Sequence, residues 1–179
     1  MLFRSYLTDP DGLGIEVYAD RPRDGWRHRD RELAMTTDPL DVTNVIAAAG
    51  GHAWDGAPEG TTMGHMHLHV GNLDTAEAFY HRALGFDKTV WSYPGALFMS
   101  AGGYHHHLGT NVWSPGPAPA PDHAQLLEWQ LHLPSQDDVA AAIRSVEGAG
   151  YTTHHHPDRV TALDPWGTRI SLRAESGLH

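Results

Sequence analysis

From residue 61 onward, apolar and polar positions follow a repeating plan. Met66, Leu68 and Val70 take one parity of a short run, and His65, His67 and His69 take the other. Alternation with period two predicts a half-buried strand with its apolar side on a core. Ala76, Phe79, Tyr80, Ala83 and Leu84 then recur at helical spacing, and Gly85 supplies the stop. Strands are predicted at 88–91, 96–100 and 105–113, with turns at Tyr93-Pro94-Gly95 and Gly102-Gly103. The order is β-α-β-β-β.

The same order returns from Leu126. A strand leads into a helix with Val139, Ala142, Ile143 and Val146 on one stripe, and Gly148 to Gly150 end it. Strands at 152–155, 159–163 and 168–173 follow. An offset of 63 superposes His69-Val70 on His132-Leu133 and His65 on Glu128. The last strands align about 64 apart, which sets His107 against Ser171. A third fragment stands at the start: residues 8–20 match residues 163–175, Asp-Pro on Asp-Pro and Glu16 on Ser171. The organisation expected is a closing hairpin of a truncated module at 1–20 and a connector at 21–62. Two modules, 63–113 and 126–173, then form one domain over 63–176. A short helix is expected in the connector at 40–49, capped by Asp38-Pro39 and stopped by Gly50-Gly51.

Composition narrows the chemistry. The 179 residues carry a net charge of -10 with only 12 Lys and Arg, a balance unsuited to nucleic acid or anionic membranes. No run of about eighteen apolar residues is present, and the expected location is the cytoplasm. Zero cysteines exclude disulfides, thiolate metal sites and cysteine nucleophiles. Histidine is in excess, with 15 copies. Any metal would therefore be held by imidazole and carboxylate, the donors that suit Fe, Mn, Ni, Co or Zn.

The histidines share strand faces. Glu128, Gln130 and His132 stand opposite Leu127, Trp129, Leu131 and Leu133. Continued alternation puts His105, His107, Gly109 and Asn111 on one face, with His106, Leu108, Thr110 and Val112 on the other. Two His and one carboxylate with open positions form the facial triad of non-haem Fe(II) oxygenases. Tyr104 stands near enough in sequence to donate a proton.

Four phrases carry a resemblance: "GHMHLHV", "FYHRALGF", "GGYHHHLGTNVW" and "DPDGLGIEVYADRPRDGW". Together they resemble the vicinal oxygen chelate superfamily of glyoxalases, bleomycin-resistance binders and extradiol dioxygenases. The likeness is to the C-terminal domain of its two-domain catechol-2,3-dioxygenase branch. The resemblance implies an α+β fold in which paired β-α-β-β-β modules form an open cup. It also implies metal corners on the first and last strand of each module: His65, His107, Glu128 and Ser171 here. The expected ligands are His65, His107 and Glu128, because Ser171 replaces the Glu of those dioxygenases and a lone hydroxyl is a poor donor. Under the same resemblance His107 is alternatively a proton-transfer group, with His67, His69 and His132 orienting substrate. The activity implied is ring cleavage of a small aromatic diol with Fe(II), Mn(II) being the second choice. The alternatives are glyoxalase- or isomerase-type proton transfer in the same cup, or a binding or resistance protein without catalysis. A homodimer through the N-terminal hairpin is expected from its unpaired strand edges.

Overall fold

The computed structural model describes residues 3–35, 39–51, 53–114, 120, 122–157 and 159–175. They form two compact units, Met1–Gly64 and His65–His179.

In the first unit β1 (Phe3–Thr8) and β2 (Gly14–Ala19) form an antiparallel hairpin with Tyr6 opposite Glu16 and Leu7 opposite Ile15. Its turn is built on Asp9, whose carboxylate accepts from the backbone N–H of Asp11 and Leu13, while Gly12 sits at φ +91°. Two short strands follow, β3 (His28–Arg29) and β4 (Glu32–Leu33), and then α1 (Val42–Ala48). The cap of α1 is Asp41, accepting from Asn44 N–H, so the helix begins two residues inside the expected start. Asp38 lies outside the described residues.

The second unit has two sheets of the same topology. The first runs β5 (Met66–His69), β8 (Leu108–Asn111), β7 (Ala96–Ser100), β6 (Asp87–Val90). The second runs β9 (Glu128–Leu133), β12 (Arg169–Ala174), β11 (Val160–Leu163), β10 (Thr153–His155). In each, the opening strand pairs parallel with the closing one: Met66 opposite Leu108, and Glu128 opposite Arg169. The helix α3 (Gln136–Gly148) is capped by Ser135. Its counterpart begins as α2 (Leu73–Ala76), capped by Asn72, and continues as a π-helical segment over Glu77–Ala83. The expected helix is thus present, but wider in its second half, with Leu84 N–H donating to Phe79 O. The paired β-α-β-β-β modules of an open vicinal oxygen chelate cup are the fold.

One core lies under both sheets. It joins Leu68, Phe79, Tyr80, Met99 and Leu108 of the first module to Trp129, Val139, Val146, Ile170 and Leu172 of the second. Two contacts tie the modules directly. Phe79 meets Tyr151 edge to face at 4.8 Å, and the Tyr80 hydroxyl donates to Asp164 Oδ2 at 2.7 Å. Burial, and then the Asp164 charge, push the Tyr80 phenol far above its ordinary pKa. At the surface, burial raises Glu77, but its ion pairs with Lys88 and Arg82 outweigh that and hold its carboxyl below the usual range.

The turn of the first hairpin has a counterpart in the second module. Asp164 Oδ1 accepts from the N–H of Trp166 and Thr168, with Gly167 at φ +91°, repeating the bonds that Asp9 makes to Asp11 and Leu13 beside Gly12. β2 is therefore the counterpart of β12, position for position.

Candidate active site

The sheet faces turned away from the core carry the candidates. On the first sheet these are His67 and His69 of β5, Gly109 and Asn111 of β8, and Phe98 of β7, in register as His67–Gly109–Phe98 and His69–Asn111. The register leaves no room for a side chain at Gly109. A Cβ there would lie 3.1 Å from His67 Nδ1 and 3.3 Å from Phe98 Cδ1.

Asn111, only 1% exposed, organises this face. Its Oδ1 lies 2.7 Å from His69 Nδ1 and accepts from Trp113 N–H at 3.1 Å, while its Nδ2 lies 2.6 Å from His67 Nε2. The Trp113 N–H can only donate, so it fixes which end of the amide is oxygen. His67 Nε2 must then accept, and neutral His67 carries its proton on Nδ1; His69 donates its own Nδ1–H. Alternation placed Asn111 on this face and no more. Its function follows from register, which alternation alone does not specify.

Residues 105–107 depart from the expected faces. β8 begins only at Leu108, so period-two alternation does not reach them. They leave a turn in which Gly102 and Gly103 hold φ +60° and +67°. His106, expected on the core side with Leu108, instead packs its ring 4.4 Å from that of His65 and 5.0 Å from Phe98. His105 stands 6.3 Å from His65, and its Nδ1 lies 2.8 Å from His106 Nδ1, both rings buried. One proton serves that pair. Placed on His106 Nδ1, it leaves His106 Nε2 as a lone pair, the form a metal ligand needs.

His107 turns elsewhere. Its Nδ1 accepts from Ala101 N–H at 3.2 Å and lies 3.0 Å from Ser100 Oγ, with the Tyr104 ring 4.8 Å away. A neutral imidazole that accepts at Nδ1 holds its proton on Nε2. Tyr104 also packs on His105 at 4.0 Å, so its ring meets both His105 and His107.

On the second sheet Glu128, Gln130 and His132 follow the expected face, with Arg169, Ser171 and Arg173 beside them in register. Glu128 Oε1 lies 4.0 Å from Arg159 Nε. Ser171 is fully buried and its Oγ has no hydrogen-bond partner. His154 lies in β10, opposite Thr161, and His155 meets Glu147 at 3.3 Å.

For a divalent ion the donor chemistry fits in part. His65 and His106 offer two imidazoles side by side, yet among the described residues no group of three His, Asp or Glu is drawn together to hold a metal.

A sequence model of the Glyoxalase/Bleomycin resistance protein/Dioxygenase superfamily matches residues 62–172. The chain belongs to this superfamily. Over 166 residues it is 45% identical to a catechol-2,3-dioxygenase of Bacillus subtilis (strain 168), a match covering 89% of this chain and 58% of that protein. The chain thus spans less than two thirds of that relative's length. Among solved structures, a lactoylglutathione lyase of Agrobacterium tumefaciens superposes with a TM-score of 0.50 at 20% identity, covering 66% of this chain and 96% of its own. A putative glyoxalase of Bacillus halodurans gives 0.52 at 17% identity, covering 65% and 96%. These two speak for the superfamily fold. Among the described residues no helix is long and apolar enough to cross a membrane.

Proposed function

We propose that this chain is a metal-dependent, extradiol-type dioxygenase that cleaves a small aromatic diol, with Fe(II) preferred over Mn(II). The observation that carries the reading is the packing of His65 on His106 beside the histidine-bearing face of the first sheet. Support also comes from the 45% identity to a catechol-2,3-dioxygenase. The ligand set proposed is His65, His106 and Glu128; His107, the imidazole first expected there, takes the proton-transfer role.

When bound, a divalent ion would supply the Lewis acidity that lowers the pKa of a diol hydroxyl. The chain's own residues supply the rest. His107 holds a proton on Nε2 because Ala101 N–H occupies its Nδ1, and Tyr104 beside it holds another on its phenol. His67, fixed by Asn111 with its proton on Nδ1 and packed closely over Gly109, offers an oriented donor. Phe98 and Trp113, 6.1 and 5.9 Å from the His67 ring, give that face an apolar wall suited to an aromatic ring.

The test is titration of metal-stripped protein with Fe(II) under anaerobic conditions and with Mn(II), followed by elemental analysis. One tightly held ion per chain is expected. A chain that retains none after desalting would remove the reading.

A second reading, a binder that sequesters an aromatic ligand without metal, is favoured by one observation. Glu128 faces Arg159, a cation that competes with a metal for the carboxylate.

A further inference from the structure

Residues 65–179 hold six Lys and Arg against eleven Asp and Glu. Three of the six, Arg159, Arg169 and Arg173, nevertheless gather on the face of the second sheet turned away from the core. Arg169 and Arg173 flank Ser171 on β12 at alternate positions, and Thr161 faces Ser171 from β11. Arg159 immediately precedes β11. The strand order is β11, β12, β9, so bringing its Nε within 4.0 Å of Glu128 on β9 carries the side chain across β12. It crosses the strand that bears Ser171.

Ser171 supplies the second, independent sign. It is 0% exposed and its hydroxyl has no partner, which is costly for a buried polar group unless a ligand supplies one. The repeat sharpens the point. In β2, the counterpart of β12, this position is the carboxylate of Glu16, flanked by Gly14 and Tyr18. In β12 it is a hydroxyl flanked by Arg169 and Arg173. Both copies carry an arginine at the neighbouring strand, Arg4 and Arg159, but the carboxylate of Glu16 has become the hydroxyl of Ser171, and Gly14 and Tyr18 have become Arg169 and Arg173.

We propose that Ser171 Oγ, with the guanidinium groups of Arg159 and Arg173, forms an anion subsite that takes a carboxylate carried on the ring of the substrate. This rests on the aromatic-diol reading and narrows it to acidic diols. A guanidinium fork matches the two oxygens of a carboxylate, and the Ser171 hydroxyl donates a third bond. The partly buried pair of Arg159 with Glu128 is at the outer limit of an ion pair, so an incoming carboxylate can displace it.

Calorimetric titration of the full chain with 3,4-dihydroxybenzoate, its methyl ester and benzoate tests the subsite. The acid and the ester share the diol and differ in the charge. The acid should bind about tenfold tighter than the ester, with the advantage shrinking as salt rises. Arg159→Gln and Ser171→Ala should each reduce that advantage and leave ester binding unchanged, while Arg159→Lys restores part of it. Arg144→Gln, on α3, should change neither. Equal binding of acid and ester would overturn the subsite and leave the diol reading standing. Benzoate binding as tightly as the dihydroxy acid, with the ester inert, would keep the subsite and sink the diol reading. No binding of any of the three would overturn both.

Discussion

The imidazole of His65 packs 4.4 Å from that of His106, although each lies just outside the strand that positions it. The parallel pairing of β5 with β8 brings the two strand entries together, with Met66 N–H donating to His107 O. If these rings are donors to one ion, removing either should be more damaging than removing a group that only orients a ligand. The orienting groups are worth about 10–100-fold in metal affinity. His65→Ala and His106→Ala should therefore each weaken Mn(II) binding by at least about that factor. His132→Ala, on the exposed face of β9, should not. Competition against a chelating dye measures all three.

Asn111 offers a test of how the histidine face is set. Asn111→Ala removes a buried amide with three partners and should cost about 1–3 kcal/mol in urea unfolding. Asn111→Asp keeps the shape but cannot donate to His67. The expected outcome is a tautomer change at His67, seen in imidazole nitrogen NMR as a new N–H at Nε2. An unchanged His67 spectrum would break the link between the two residues.

Much of this was legible in the alternation itself. The two modules, their order and the third fragment follow from periodicity and turn residues, which report local backbone geometry. The faces of β5, β9 and β12 follow as well, since these strands are regular. The histidines at 105–107 were not legible. They occupy a segment between a double-glycine turn and the first residue of β8, where no period applies. The Asn111 network depends on His69 standing opposite Asn111, a cross-strand fact absent from either strand alone. The widening of the helix after Ala76 left no mark either, because Ala76, Phe79, Tyr80, Ala83 and Leu84 also fit an ordinary helix.

Tyr80 and Asp164 predict the alkaline behaviour of the fold. Tyr80 is held neutral, its folded pKa above the unfolded one, so its contribution is complete below about pH 10, the unfolded value. As pH rises past that point the unfolded chain loses a proton the folded chain keeps, and stability falls. Tyr80→Phe should lower stability at neutral pH by about 1.5–3 kcal/mol, the range for a bond to a charged acceptor. It should also flatten the fall in stability above about pH 10. Denaturant midpoints measured at several pH values would show both.

The hairpin makes a prediction about assembly. Ile15 and Val17 are 46% and 57% exposed, whereas their counterparts Ile170 and Leu172 are 0% and 1% exposed in the core against α3. An apolar strand face of this kind invites a partner, and a second copy of the chain is the occupant proposed. Light scattering should give a dimer, and Ile15→Lys with Val17→Lys should give a monomer of unchanged circular dichroism. A wild-type monomer would count against it.

Dioxygen uptake is the most direct test of the central claim. Protein loaded anaerobically with one Fe(II) per chain is mixed with 3,4-dihydroxybenzoate in an oxygen-electrode cell, and ring opening is followed by absorbance. The expected result is consumption of one dioxygen per diol cleaved, at a rate lost in His65→Ala. Stable binding of the diol by the iron-loaded protein with no oxygen consumed would contradict the account.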